Sequence, residues 1–189
     1  RIGADPRPFV QPCNGRHILR RQRKILHRQI LGQTRFAIEL GRWLVATFDA
    51  ISEREDIRCA VLTGAGKVFC AGADLTPDGG GQVFSDPTQV DDLSDTRVRD
   101  GGGLLTLRLF ESKKPLISAC NGVAVGVGAT MQLAMDIRLA STTARYGFVF
   151  ARRGIVPEAA SSWFLPRLVG IQQALEWCYT GRGFPASEA

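Results

Sequence analysis

The chain is predicted to fold as an α/β domain with mainly parallel strand pairing, on three observations. Short apolar runs, CAVLT at Cys59–Thr63 and PLISA at Pro115–Ala119, have the length of buried strands, and Ile137–Ala140 is a third strand candidate. Stretches with apolar residues three and four apart stand between them, as amphipathic helices require. No two of the runs are separated by the short turn of a hairpin, so the strands must pair through helical crossovers. With 189 residues, 44% of them apolar, the chain is of a length for one domain and has enough apolar side chains for one sizeable core.

Taken in order, residues 1–34 differ from the rest of the chain. Pro6, Pro8 and Pro12 break the start, and the run from Arg16 to Arg28 carries scattered Ile and Leu, for which a helix is the expectation. Eight basic residues from Arg1 to Arg28 face only Asp5, so the net charge of +6 belongs to this segment and the rest is close to neutral. The run has no interleaved aromatic residue for stacking on bases, so it is read as a solvated tail and no nucleic-acid partner is expected. The chain therefore divides into an atypical, weakly ordered basic segment, 1–34, and a core, 35–189.

Phe36, Leu40, Trp43, Leu44 and Phe48 fall on one face of a helix spanning about Phe36 to Ile51. Ser52 to Asp56 is a polar turn, and Cys59–Thr63 is the first strand. Gly64-Ala65-Gly66 opens a loop, and a long polar, Gly-rich stretch runs from Asp74 to about Asp100, the composition of a lid or binding loop. Leu104–Phe110 is a helix, Pro115–Ala119 a strand, Gly126–Met135 a helix lined with small residues, and Ile137–Ala140 a strand. Val156-Pro157-Glu158 starts a helix that runs through Leu168 and closes at Gly170, and a last helix begins near Gln172.

Composition excludes several classes. Five cysteines, an odd number without paired spacing, point to reduced thiols inside a cell. With two histidines and no CxxC, no metal site is expected. No apolar run reaches the roughly 18 residues of a membrane span, so no membrane partner is expected.

Two Gly-rich motifs carry the chemistry. In VLTGAGKVFCAGADL, Val61–Leu75, a strand and tight turn lead into Ala71-Gly72-Ala73-Asp74, where small side chains let a ligand approach the backbone N–H groups. In CNGVAVGVGATMQLAMD, Cys120–Asp136, Gly126-Val127-Gly128-Ala129 enters a helix at its N-terminus, where free N–H groups stabilise a negative oxygen. Each pattern alone also suits a plain chain reversal or close helix packing. Neither has the GxGxxG spacing of a dinucleotide site. Glu158, amid Ile155, Val156, Ala159 and Ala160, is the candidate carboxylate. Two N–H clusters and one carboxylate are the parts of an oxyanion site.

From about Glu39 to Ala189 the chain resembles the crotonase superfamily, the enoyl-CoA hydratase/isomerase family. The resemblance rests on KVFCAGADL, NGVAVGVGATMQLAMDIRLAS and RRGIVPEAASSWFLPRLVG in this order. It implies a crotonase-like spiral of ββα turns, here with an incomplete C-terminal helical region. It implies an acyl-CoA thioester substrate, with coenzyme A part of that substrate and no other cofactor. It implies a homotrimer or dimer of trimers for a full-length chain, and the expected location is intracellular, in the cytoplasm or an organelle matrix. By the same resemblance, the backbone N–H groups of Ala73 and Val127 match the oxyanion hole. Ala71, Gly72, Asp74, Leu75 and Gly126 match the segments along the bound substrate.

Hydratases of this family use two glutamates, and the matching positions hold Thr130 and Phe150. Glu158 matches the acidic residue of several isomerase branches. The expected reaction is therefore a shift of a double bond, 3-enoyl-CoA to 2-enoyl-CoA, through an enolate, with Glu158 as acid and base. The alternatives are an enoyl-CoA hydratase of fatty-acid β-oxidation and a non-catalytic CoA-thioester-binding member of the fold. Relatives carry a strand hairpin before the first long helix and further helices after the last. Neither is legible here, so a chain truncated at both ends is the expectation.

Overall fold

A computed structural model describes residues 24–30, 38–73 and 100–189, with the backbone alone at 24–30 and 38–39. The element order is β1 (Lys24–Ile30), α1 (Ile38–Glu53), β2 (Ile57–Gly64), β3 (Val68–Cys70), α2 (Gly101–Phe110), β4 (Leu116–Cys120) and β5 (Val123–Val125). Next come α3 (Val127–Thr130), a 3-10 turn (Met131–Ala134), β6 (Ile137–Ala140), β7 (Arg145–Gly147), α4 (Phe150–Arg153), α5 (Ser161–Val169), α6 (Ile171–Thr180) and β8 (Gly183–Pro185).

The strands form two four-stranded sheets. One has the order β1-β2-β4-β6 and is parallel throughout; the other has the order β3-β5-β7-β8, parallel except at the β7–β8 pair. Three strands of the first sheet each precede a short strand of the second and then a helix: β2-β3-α2, β4-β5-α3, β6-β7-α4. The three strands and parallel crossovers expected from the sequence are present. The second sheet was not legible, because strands of three residues are too short to show an alternation.

Two expectations need correction. The basic run through Arg28 does not end in a helix: Lys24–Ile30 is a strand that pairs in parallel with β2, Leu26 opposite Ala60 and Ile30 opposite Gly64. A partner distant in sequence decides this, and local propensity does not report it. The helix expected over Gly126–Met135 is α only to Thr130 and then tightens to the 3-10 form. Phe36 of the α1 stripe lies outside the described residues.

The main core lies between the first sheet and helices α1 and α2. Leu44, Phe48, Leu105 and Leu109 meet Leu62, Phe69, Leu116 and Met131 there. Each such side chain contributes about 1.5–3 kcal/mol by leaving water. Arg108 on α2 bonds Ser52 Oγ at 2.9 Å and pairs with Asp49, which locks α2 to α1. A second cluster is aromatic: Trp177 of α6 stacks on Phe184 of β8 at 4.1 Å between ring centroids, with Phe148 and Phe150 beside them. Among the described residues no helix is long and apolar enough to cross a membrane, and no cluster of His, Cys, Asp or Glu could hold a metal ion. Cys59, Cys70, Cys120 and Cys178 are free thiols.

Candidate active site

The two Gly-rich motifs meet side by side because one side chain joins them. Asn121 Oδ1 accepts the N–H of Gly64 at 2.9 Å, and its Nδ2 donates to the carbonyl of Gly66 at 2.8 Å. The loop after β2 is thereby pinned to the turn after β4. Downstream, the Cα of Gly72 lies 3.7 Å from where a Cβ on Gly126 would stand. Both residues have positive φ, +98° and +55°, and that freedom lets the two backbones turn toward each other.

Val127 is the first residue of α3, so its N–H has no acceptor one helical turn back. The helix start is pressed onto the end of β3: a Cβ on Gly128 would fall 2.2 Å from the carbonyl oxygen of Cys70. Ala71 is exposed, Gly72 buried, and Ala73 partly buried. Ala71, Gly72, Ala73, Gly126 and Val127 are thus brought into one place. Asp74 and Leu75 lie outside the described residues.

One turn along α3 from Val127, Thr130 is fully buried, and its hydroxyl donates to Glu158 Oε1 at 2.9 Å. That bond brings the carboxylate to the same helix start. Glu158 is not in a helix, contrary to the sequence expectation. Ala159 and Ala160 both have φ +53°, a left-handed conformation, and α5 cannot begin before Ser161. Two alanines in that region cost about 1–2 kcal/mol each. The surrounding packing therefore imposes the bend that turns Glu158 inward, and strain of this kind gathers at functional sites.

Burial pushes the Glu158 carboxyl up to about 7; the Thr130 hydroxyl pulls the other way, and the nearby charge of Asp100 adds to the rise. Burial likewise pushes the Cys70 thiol up to about 11, against a backbone hydrogen bond with Gly72, and Glu158 adds to the rise. Near neutral pH this site therefore offers a carboxyl that can both take and return a proton, beside a neutral thiol.

Phe150, at the other position that matches a hydratase glutamate, is buried in the aromatic cluster with Phe148. It has no acid or base chemistry to offer. Asp100 and Gly102 were not singled out from the sequence. Asp100 caps α2, its Oδ1 accepting the N–H of Gly103 at 2.6 Å, and also accepts the N–H of Ala159 at 3.3 Å. An Asp before a Gly run and an apolar helix is a legible cap signal. Its reach to Ala159 depends on the fold.

Comparison with known proteins agrees with this arrangement. The family model described as enoyl-CoA hydratase/isomerase matches residues 36–189. Enoyl-CoA hydratase AFT3-1 of Alternaria alternata is 46% identical over 143 residues, which are 76% of this chain and 45% of that protein. The 1,2-epoxyphenylacetyl-CoA isomerase of Escherichia coli (strain K12) is 38% identical over 138 residues, 72% of this chain and 51% of that protein. Among solved structures, enoyl-CoA hydratase from Bacillus anthracis superposes with a TM-score of 0.73 at 31% identity, over 87% of this chain and 62% of that one. An enoyl-CoA hydratase/isomerase from Pseudoalteromonas atlantica T6c gives a TM-score of 0.73 at 32% identity, over 87% and 62% of the two chains. The chain spans about half the length of the curated relatives it matches. The ββα spiral, the two facing glycine loops and a match over most of the length together show that the chain belongs to the enoyl-CoA hydratase/isomerase family.

Proposed function

We propose that the protein shifts a carbon–carbon double bond in an acyl-CoA thioester, converting a 3-enoyl-CoA to a 2-enoyl-CoA. The observation that supports this best is Glu158: one largely buried carboxyl, poised near neutral pH and bonded to Thr130, which stands one helical turn along α3 from Val127. The thioester oxygen sits between the N–H groups of Ala73 and Val127. Ala71, Gly72, Asp74, Leu75 and Gly126 line the substrate beside it. Glu158 takes a proton from C2, and the electron pair moves to the thioester oxygen as an enolate. The enolate then re-forms the carbonyl, a double bond forms between C2 and C3, the one between C3 and C4 breaks, and Glu158 returns its proton to C4. No atom is gained or lost, and one carboxyl suffices. Each N–H donor aimed at the developing charge is worth about 3 kcal/mol to the barrier.

Hydration is the second reading, favoured by the name of the Alternaria relative. It asks for a second acid or base on the water, and Thr130 and Phe150 occupy the places matched to the two glutamates. A homotrimer or dimer of trimers is the assembly proposed, to be measured by light scattering.

The test is a paired assay with 3-enoyl-CoA and 2-enoyl-CoA, on the chain and on Glu158→Gln. Conversion of the 3-enoyl substrate that vanishes in the variant is the expected result. Water addition that survives the substitution would refute the proposal. Thioester binding without turnover would favour a non-catalytic member of the fold.

A further inference from the structure

Beside Glu158 stands a second carboxylate that has no part in the isomerisation steps. We infer that Asp100 is a positioning residue for Glu158: it grips the backbone just after Glu158 and sets a fixed negative charge against its carboxyl. The inference rests on the reading of Glu158 as the proton carrier and adds the means by which the fold prepares that carrier.

One oxygen makes two contacts. Asp100 Oδ1 accepts the N–H of Gly103, in the first turn of α2, and the N–H of Ala159, the first of the two left-handed alanines. It therefore ties α2 to the bend that turns Glu158 inward. Helix α2 is itself fixed to α1 through Arg108, so the tie has a rigid anchor.

Space around these groups is tight. A Cβ on Gly102 would stand 2.6 Å from Glu158 Oε2, 3.0 Å from Asp100 Oδ1 and 3.1 Å from Ala159 Cβ. Both carboxylates and the strained alanine crowd the same point, which glycine leaves open.

Charge acts in the same direction. The first turn of a helix presents N–H groups that attract a carboxylate. Asp100 takes that place at Gly103. Glu158 thus lies against the charge of Asp100, and like charges disfavour ionisation. Among the described residues, the other groups that face Glu158 are the Thr130 hydroxyl on α3 and the Cys70 thiol at the end of β3. The thiol stays neutral well above pH 7, so Asp100 is the charge that acts on Glu158 from these elements.

Asp100→Asn separates the two parts of the role, because it keeps Oδ1 as an acceptor and removes the charge. The experiment follows the Glu158 carboxyl by 13C NMR in the full chain with labelled glutamate, assigned with Glu158→Gln. The isomerase kcat/KM is measured across pH alongside. In Asp100→Asn the Glu158 midpoint is expected to fall by on the order of half a pH unit or more. The acid limb of kcat/KM should move down with it, with KM unchanged. Asp100→Ala, which also drops the grip on Ala159, should lower the melting temperature further than Asp100→Asn does. A Glu158 midpoint that is the same in the wild type and Asp100→Asn overturns the inference. Isomerase activity retained in Glu158→Gln would instead overturn the proposed function, while the NMR titration still judges Asp100 by itself.

Discussion

Thr130 donates its hydroxyl to Glu158 across 28 residues of sequence, at 2.9 Å and with no exposure of its own. The bond joins the start of α3 to the carboxylate expected from the sequence to act as acid and base. It also favours the charged form of Glu158, against burial and against Asp100. Replacing Thr130 by Val keeps the shape and removes the donor. The carboxyl then rises above about 7. Thr130→Val should move the acid limb of kcat/KM to higher pH, lowering activity several-fold at pH 7 and much less at pH 9. A pH–rate profile of the two proteins checks this.

Stability should depend on pH through the same residue. The folded carboxyl titrates near 7 and the unfolded one near the ordinary 4.5, so the native state holds the extra proton between those values. The contribution is fully present below about 4.5 and is lost as pH rises to about 7. The loss is on the order of 1–3 kcal/mol. Glu158→Gln should abolish it, leaving the variant more stable than the wild type at pH 8. Urea denaturation at pH 5 and pH 8 measures both.

Ala160 is held at φ +53° with its side chain partly exposed. Glycine there removes the steric cost of the left-handed region and gives back some chain entropy on unfolding. Ala160→Gly should therefore stabilise the protein by about 0.5–1 kcal/mol. Ala159 has the same φ, but its methyl is fully buried. Ala159→Gly should give less, since the packing of that methyl is lost. Denaturation midpoints of the two variants settle the comparison.

Gly102→Ala tests the crowding at the site. The new Cβ would be driven 2.6 Å from Glu158 Oε2. The Glu158 side chain must move, while α2 gains a better helix former. The expected outcome is a fall in kcat of at least tenfold with a change in melting temperature of only a few degrees. Equal activity with the wild type would show that catalysis does not need Glu158 in that position.

Within the first sheet β2 and β4 were legible as short apolar runs, and β6 as a strand at Ile137–Ala140. The helices were legible from spacing: the stripe through Leu40, Leu44 and Phe48 lies in α1, and Gly170 closes α5 as expected. The start of α2 was placed late, because Gly101-Gly102-Gly103 reads as loop until Asp100 caps it. The strand Lys24–Ile30 was misread, because only its partner β2 makes it one.

By itself, the sequence determined the family, the two Gly-rich loops and the absence of glutamates at positions 130 and 150. These depend on residue identity and order alone. Only the tertiary structure decided that Glu158 stands outside a helix, bonded to Thr130 and pressed toward Asp100. Those groups lie 28 and 58 positions away in the chain. A carboxyl's proton affinity depends on what surrounds it in space, and for Glu158 the fold supplies that surrounding from α2, α3 and β3.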